Sequence, residues 1–426
     1  MLCLIPCAFS TLRADDEESW EFVPNTDESK VVSYTLPNAL VMNDGTRVET
    51  AEDWMNRRRP EILEMFQREM YGFMPGVDRS KLKFEELRSN SEALGGKATS
   101  REFRIYFNAP EAKPKLDLLV YYPNNAEKPV PAFLGLNFQG NHTVSDDPWI
   151  SLTDNTEGLM YRDKSDIASY RGAQKERWPI EKIIDRGYAL ATCYYEDIDP
   201  DFWDGRKNGV HPLFAPFEKD IPEESKGATI TAWAWGLSRV LDCLETIPQI
   251  DASHVAVIGH SRLGKTALWA GANDQRFAMV VSNDSGCGGA ALTRRNFGET
   301  IVFMDHFISY WFCPNYSKYV DDTSEIPFDQ HELIALIAPR PVYVASADED
   351  SWADPKGEYL AAWNADPVYR LLGTDGIGQV SDIPPAIDTP VGGIIHYHRR
   401  SGNHDLTAYD WNQYLDFADK YMMGSR

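Results

Sequence analysis

The fold of this chain is decided by the stretch Val255-Ala-Val-Ile-Gly-His-Ser-Arg-Leu-Gly-Lys-Thr-Ala-Leu268. An apolar run typical of a buried strand leads into a glycine turn with Ser261 at its apex, and helix-forming residues follow. A strand-to-helix turn of this kind lifts a serine hydroxyl off the strand end. It also places that hydroxyl at a helix N-terminus, which favours negative charge. The stretch therefore predicts a nucleophilic serine at position 261.

The turn departs from the usual G-x-S-x-G pattern in two ways. Its second glycine, Gly264, comes one place late, and Arg262 directly follows the serine. The segment from Gly259 to Thr266 also fits the phosphate-loop pattern G-x-x-x-x-G-K-[ST]. Nucleotide binding is the weaker interpretation, because such a loop normally lies near the start of its domain and no Walker B strand ending in Asp is evident.

Composition limits the classes of partner. The 426 residues are 43% hydrophobic and 25% charged, which is ordinary for a soluble globular protein. A net charge of −23 argues against nucleic acid and anionic membranes as partners, and no apolar run approaches the roughly 18 residues of a membrane span. The cysteines beyond the leader are widely spaced and indicate neither a disulfide framework nor a zinc site. We expect a monomer without metal or cofactor.

The N-terminus divides into two predicted segments. Residues 1–14 resemble the end of a secretory signal peptide but lack its basic n-region, so the signal is incomplete. Residues 15–50 are acidic and irregular. We expect a periplasmic or secreted bacterial protein in which residues 51–426 form a single catalytic domain.

Strands alternate with helices along the rest of the chain. We predict helices over 52–71, 229–246 and 410–421, and strands over 101–107, 116–122, 132–137, 188–194, 254–258, 278–282, 341–347 and 393–398. This alternation indicates a mostly parallel sheet with helices on both faces. Together with the serine turn it predicts the α/β-hydrolase fold. Residues 137–187 and 364–392 are predicted as loops over the active face.

A serine nucleophile needs a base, and the base needs an orienting carboxylate. In this fold class the chain order is serine, acid, histidine. His404 lies in a glycine-containing loop just after the last predicted strand, where the base belongs. His396 and His398 share one strand face, but no third ligand accompanies them, so we expect structural roles.

The acid has two candidates. Asp350 is placed better, a few residues past the strand over 341–347. Asp284 ends the preceding strand and is the alternative. Whichever is not the acid is expected to cap a loop or helix.

Negative charge on the tetrahedral intermediate requires donors that are fixed in advance. The backbone N–H of Arg262 is one candidate, and the turn over 137–143 is where a second usually lies. The Arg262 side chain could add a charged donor, with a salt bridge on the helix after the serine as the alternative.

Further motifs accompany the serine turn. They include Ser282-Asn-Asp-Ser-Gly-Cys-Gly-Gly-Ala-Ala291 with Arg294 and Glu299, and Ser401-Gly-Asn-His404. With the G-H-S-R-L-G-K run, these stretches resemble the glucuronoyl esterases of carbohydrate esterase family 15, in particular the bacterial type. The resemblance extends from about Pro131 to the C-terminus.

The resemblance implies a substrate and a set of roles. The reaction would be hydrolysis of 4-O-methyl-glucuronoyl (uronate) esters that link glucuronoxylan to lignin alcohols, through an acyl-enzyme on Ser261. His404 would be the base and Arg262 would support the oxyanion. Lys265 and Glu299 would bind the hydroxyls of the uronic acid ring, and Trp352 would line the sugar site. A solvated helix lysine, a surface carboxylate and a core tryptophan are the ordinary alternatives.

Two departures from the fungal members are visible. These carry a glutamate where this chain has Asp284, whereas some bacterial members place the acid on the later loop, as Asp350 would be. Fungal members also have a disulfide-bonded cysteine where this chain has His260. An acetyl xylan esterase or broader carboxylesterase on the same fold is the alternative function. A carbohydrate-binding module with an inactive triad is disfavoured by the intact Ser261 and His404.

Overall fold

The computed structural model describes residues 22–108, 114–156 and 165–423, so the predicted signal segment 1–14 lies outside the described residues. Ten strands in the described chain form one sheet: β1 (Lys83–Ala93), β2 (Ala98–Tyr106), β3 (Lys115–Pro123), β4 (Val130–Asn137), β5 (Ala189–Tyr194), β6 (Ile250–His260), β7 (Met279–Asn283), β8 (Val342–Ala347), β9 (Val391–Gly392) and β10 (Ile395–Arg400).

The strand order is β1-β2-β3-β5-β4-β6-β7-β8-β10-β9. The central strands from β5 to β10 in this order are parallel, and β1 to β3 and β9 pair antiparallel at the two ends. The predicted mostly parallel sheet is confirmed. Because parallel strands share a carboxyl edge, the loops after β4, β5, β6, β7, β8 and β10 meet on one side of the molecule.

The helices are α1 (Ala51–Asp53), α2 (Arg59–Phe66), α3 (Ile180–Asp185), α4 (His211–Phe214), α5 (Thr229–Leu244), α6 (Arg262–Asn273), α7 (Ile301–Ile308), α8 (Gln330–Ala335), α9 (Pro355–Leu371) and α10 (Ala408–Met422). Wider π-helical turns over Trp54–Arg58 and Gln67–Tyr71 join α1 and α2 into the continuous helical stretch that the sequence predicts. No helix in the described ranges is both long enough and apolar enough to cross a membrane.

The central strands β4, β5, β7 and β8 are buried along their whole length, as their apolar sequences require. Alternate residues of β6 enter two separate cores: Val255 and Val257 pack with α5 and α6, and Ala256 and Ile258 pack with α3 and α10. The two helical layers of the predicted fold are therefore confirmed.

The eight predicted strands are present with ends that differ by a few residues. Strand β9 and helices α4, α7 and α8 were not predicted, and three further differences have a clear physical reason. Strand β1 was missed because it is a largely exposed edge strand without an apolar alternation. The loop predicted over 364–392 begins too early, because α9 continues to Leu371 through Pro367. Its buried Ala365, Val368 and Tyr369 anchor that last turn despite the proline. The loop predicted over 137–187 contains α3, whose Ile180, Ile183 and Ile184 are buried.

The junction of β6 and α6, residues 259–264, is here called the serine turn. Ser261 has φ +58° and ψ −130°, a conformation rarely adopted by residues with a side chain. Its N–H donates to the Asn283 carbonyl at 2.9 Å. A Cβ on Gly259 would lie 1.8 Å from the Leu263 carbonyl oxygen, and one on Gly264 would lie 3.0 Å from the Ser285 Cβ. The late second glycine therefore lets α6 approach the loop after β7.

We expect Gly259→Ala to lower the free energy of unfolding by about 1–3 kcal/mol or more, because the added methyl group has no space. Chemical denaturation measures the change. Gly76→Ala is the matched control, since a Cβ there would lie 3.4 Å from the Phe217 ring, an ordinary contact. Equal effects of the two substitutions would contradict the close packing at the serine turn.

Candidate active site

His404 is placed beside the serine turn. Its Nδ1 donates to Asp350 Oδ2 at 2.6 Å, and its ring centroid is 4.5 Å from that of His260, the residue before Ser261. The Asp350 side chain is 4% exposed and that of His404 is 32% exposed. The base predicted from the sequence thus reaches solvent on one side and a buried carboxylate on the other.

The alternative acid, Asp284, lies in the same cluster. Ligand atoms of Asp284, Asp350 and His404 all lie within 4.8 Å of one another, and Asp284 Oδ2 is 3.4 Å from Arg400 Nη2. Burial, reinforced by the charge of Asp350, raises the pKa of Asp284 well above its usual range. Two carboxylates this close cannot both ionise cheaply, and it is Asp284 whose protonated form burial favours.

Such a trio also has the ligand types of a metal site. Two of its three side chains, however, His404 and Asp350, are already joined by a hydrogen bond of 2.6 Å. The third is Asp284, whose pKa burial raises well above its usual range. The arrangement therefore suits proton transfer better than cation binding.

His260 adds no charge beside His404. Its Nδ1 donates to the Asn283 side-chain oxygen at 2.6 Å. Burial lowers the pKa of His260 well below its usual range, with His404 as a further cause. A neutral ring here means that His404 can take up a proton without repulsion from an adjacent imidazolium.

Glu358, which the sequence analysis missed, fixes the loop that follows Asp284. Its Oε1 accepts the backbone N–H groups of Ser285 at 2.8 Å and Gly286 at 3.0 Å, and its Oε2 lies 2.6 Å from the Ser346 hydroxyl. Burial raises the pKa of Glu358 to about 8. Glu358 thus links α9 to the loop after β7, which follows Asp284, and to the end of β8, which precedes Asp350.

The Arg262 side chain makes a salt bridge, but with Asp201 in the loop after β5 and not within its own helix. Its guanidinium also lies over the Trp311 ring at 4.8 Å and near the Phe138 ring at 5.8 Å. Burial alone would lower the pKa of Arg262, but the charge of Asp201 raises it, so the cation persists. The buried Nε–H of Arg262 has no hydrogen-bond partner within the described ranges.

The predicted oxyanion turn over 137–143 lies against the serine turn. The Asn137 side chain accepts the Gly140 N–H at 2.8 Å and so closes the turn. The Phe138 ring packs edge-on against His260 at 6.2 Å. The geometry places the turn where the sequence predicts it.

Lys265, Glu299 and Trp352 form one cluster. Lys265 Nζ donates to Glu299 Oε2 at 2.7 Å and to the Ser285 carbonyl at 2.8 Å. The Glu299 N–H donates to the Trp352 carbonyl at 2.8 Å. Lys265 is 3% exposed and Glu299 is 7% exposed, so neither is an ordinary solvated surface residue. Trp352 is half-buried, with the Phe303 ring against it at 4.8 Å.

This cluster adjoins the nucleophile because Lys265 lies one helical turn after Ser261 and donates its N–H to the Ser261 carbonyl at 3.2 Å. All the residues that the sequence singles out for chemistry or sugar contact thus lie around the carboxyl ends of β6, β7 and β8. His396 and His398 stay apart from them: His398 contacts the Tyr343 hydroxyl and Asp410.

Asp201 is the other residue that sequence reasoning missed. The available signal was its position, a few residues past the buried strand β5 and therefore at the carboxyl edge. Several neighbouring acidic residues in the run 196–204 carry the same signal, and only the fold distinguishes which of them faces Arg262.

Comparisons with known proteins identify related sequences. A sequence profile described as "Glucuronyl esterase, fungi" matches residues 207–373. A carbohydrate esterase of an unknown prokaryotic organism is 48% identical over 405 residues, covering 94% of this chain and 92% of that protein. A 4-O-methyl-glucuronoyl methylesterase of Phanerochaete carnosa is 32% identical, covering 91% of this chain and 81% of the relative.

Solved structures agree as well. A glucuronoyl esterase from Solibacter usitatus is 46% identical, with a TM-score of 0.86 and coverage of 93% of this chain and 100% of that one. A promiscuous esterase of the same family, from a marine bacterial metagenome, is 47% identical with a TM-score of 0.86, covering 94% and 100%. This chain therefore belongs to carbohydrate esterase family 15, the glucuronoyl esterases, and is a carboxylic ester hydrolase with the α/β-hydrolase fold.

Proposed function

We propose that this enzyme hydrolyses 4-O-methyl-glucuronoyl esters that link glucuronoxylan to lignin alcohols. The observation that carries the proposal is the buried Lys265–Glu299 pair beside the half-buried Trp352, one helical turn from Ser261. An ammonium, a carboxylate and an aromatic ring together can bind the hydroxyls and the apolar face of a sugar ring. An acetyl group offers them nothing to bind.

In the first half of the reaction, His404 removes the proton from Ser261 Oγ as the oxygen attacks the ester carbonyl carbon. The negative charge moves to the carbonyl oxygen, where the Arg262 backbone N–H and its buried Nε–H stabilise it. Collapse of this intermediate breaks the ester C–O bond. The proton on His404 passes to the leaving alcohol, and the uronoyl group remains on Ser261.

In the second half, His404 removes a proton from water as its oxygen attacks the acyl carbon. A second tetrahedral intermediate forms at the same donors. When it collapses, Ser261 Oγ leaves and takes the proton from His404, which releases the free uronic acid. Both halves require one ionised carboxylate at His404 Nδ1, and we assign this role to Asp350.

Export to the periplasm or the cell exterior stays a prediction, as do the monomeric state and the single domain over 51–426. Export would suit the proposed substrate, since a polymer linking xylan to lignin cannot enter a cell.

We expect wild-type enzyme to hydrolyse benzyl glucuronate with much higher kcat/KM than p-nitrophenyl acetate, because only the uronate reaches Lys265, Glu299 and Trp352. Ser261→Ala should abolish turnover of both esters. Release of alcohol or phenol measures the rates. Acetate cleavage without uronate cleavage would overturn the substrate assignment and favour the broader carboxylesterase. This activity is worth measuring because the metagenomic relative is a promiscuous esterase.

We expect Asp350→Asn to lower kcat by about 10³–10⁴-fold, as removal of the charge that orients a triad histidine does elsewhere. Asp284→Asn should lower kcat by less than about tenfold, because an amide replaces a carboxyl group that is already neutral. Steady-state kinetics on benzyl glucuronate compares the two. The reverse ranking would make Asp284 the acid.

The pH dependence of stability gives a second test of Asp284. Its raised pKa means that the folded state keeps a proton which the unfolded chain loses near pH 4, so ionisation opposes folding as pH rises above that value. Asp284→Asn should therefore flatten the decline in unfolding free energy between about pH 5 and pH 8. Urea denaturation at several pH values measures it, and an unchanged slope would contradict the neutral carboxyl group.

We expect Glu299→Gln to raise KM for benzyl glucuronate several-fold and to leave p-nitrophenyl acetate hydrolysis within about twofold, because of the two esters only the uronate has ring hydroxyls for this side chain to bind. Glu349→Gln, at an exposed position in the loop after β8, is the matched control. Equal losses on both esters would indicate that Glu299 supports the fold and not the sugar.

A further inference from the structure

The Asp201 carboxylate is enclosed by donors from three parts of the chain. Its Oδ1 accepts the Trp311 Nε1–H at 2.7 Å and lies 3.0 Å from the Tyr310 hydroxyl. Its Oδ2 lies 2.9 Å from the Tyr195 hydroxyl and pairs with Arg262 Nη1. The side chain is 5% exposed. A buried carboxylate held at both oxygens in this way has a fixed position, and it fixes whatever cation it contacts.

The Tyr195 hydroxyl lies between two acidic side chains. Its hydroxyl is 2.9 Å from Asp201 Oδ2 and 3.0 Å from Glu196 Oε1. A hydroxyl has one proton and can donate to only one carboxylate, so one of the two acids must itself donate. Asp201 is paired with a cation and Glu196 is not, and burial raises the pKa of Glu196 to about 7. The Tyr195 hydroxyl therefore bridges the buried Glu196 carboxyl group and the Asp201 oxygen that also binds Arg262.

The Arg262 guanidinium is consequently held on three sides. Asp201 binds its Nη1, and the rings of Trp311 and Phe138 cover it. The Nε–H, the guanidinium donor nearest to the main chain of the residue that follows Ser261, is buried without a hydrogen-bond partner in the described part of the chain. An unsatisfied buried donor costs free energy in the resting enzyme. A donor that gains a partner only when charge develops contributes to catalysis.

We propose that Asp201 is a positioning residue for the ester hydrolysis. It anchors one end of the Arg262 guanidinium and so leaves the Nε–H in place for the oxyanion formed at Ser261. Asp201 acts through Arg262 alone and contacts neither the acyl group nor the alcohol. The inference rests on the proposed role of Arg262, and its test separates the two.

The test is a double-mutant cycle on kcat, measured with benzyl glucuronate and with p-nitrophenyl acetate, since either ester forms the same oxyanion. Arg262→Met should lower kcat by about 10²–10³-fold. Asp201→Asn, which keeps the shape but removes the charge, should lower kcat by about 10–100-fold with KM within about threefold. In the Arg262→Met background, Asp201→Asn should have no further effect on kcat, because the residue it positions is already gone.

Asp199→Asn is the matched control, because Asp199 lies on the same loop and is buried but binds His211 and Thr229 and not Arg262. It should change thermal stability without changing kcat more than about twofold. Arg262→Lys is the second variant in case Arg262→Met does not fold. It keeps a cation for Asp201 but has no N–H group at the position of the Arg262 Nε–H, so its kcat should also fall.

The outcomes are distinguishable. If neither Arg262 variant lowers kcat, the proposed oxyanion role fails. If the Arg262 variants lower kcat and Asp201→Asn does not, only the positioning role fails. If Asp201→Asn lowers kcat by the same factor in both backgrounds, or if Asp199→Asn lowers it as much, Asp201 supports the fold and does not position Arg262.

Discussion

The serine turn depends on the absence of two side chains. Because neither Gly259 nor Gly264 has a Cβ, helix α6 can begin directly on the end of β6 and against the loop after β7. This contact holds Ser261 at φ +58° and joins its N–H to Asn283. The start of α6 also sets the positions of the residues next to the nucleophile. Arg262 and Lys265 lie within its first turn, and the residue before the serine packs on His404.

The second constraint is electrostatic. A site with Asp284, Asp350 and Glu358 around one histidine would be strongly repulsive if every carboxyl group were ionised. Burial solves this by keeping Asp284 and Glu358 protonated and His260 neutral. Asp350, the carboxylate that we assign to the triad, then has its Oδ2 2.6 Å from His404 Nδ1. When His404 gains the serine proton, Asp350 faces the resulting imidazolium, and the adjacent His260 ring adds no competing cation.

Local sequence patterns predict much of the fold and the reactive residues of the candidate site. The serine turn and the buried strands are encoded by residues adjacent in the chain, so Ser261, His404 and the sheet could be predicted. Strand β1 could not, because an exposed edge strand gains its stability from pairing with β2 and not from its own pattern. Helix α9 continues through Pro367 because the burial of Val368 and Tyr369 outweighs the low helix propensity of proline. The choice between Asp350 and Asp284 also needed burial, which only the folded chain reveals.

The same reasoning explains why the partners of the site were harder to identify than its reactive residues. Arg262 and Lys265 are positioned by one helix turn whose sequence is contiguous. Their carboxylate partners, Asp201 and Glu299, come from different loops, 61 and 34 residues away along the chain. Acidic residues are common in such loops, so type and spacing carry little information about which one faces a cation. The enzyme thus combines a nucleophile fixed by local backbone geometry with charges fixed by long-range contacts, and variation in those loops can retune the charges without altering the serine turn.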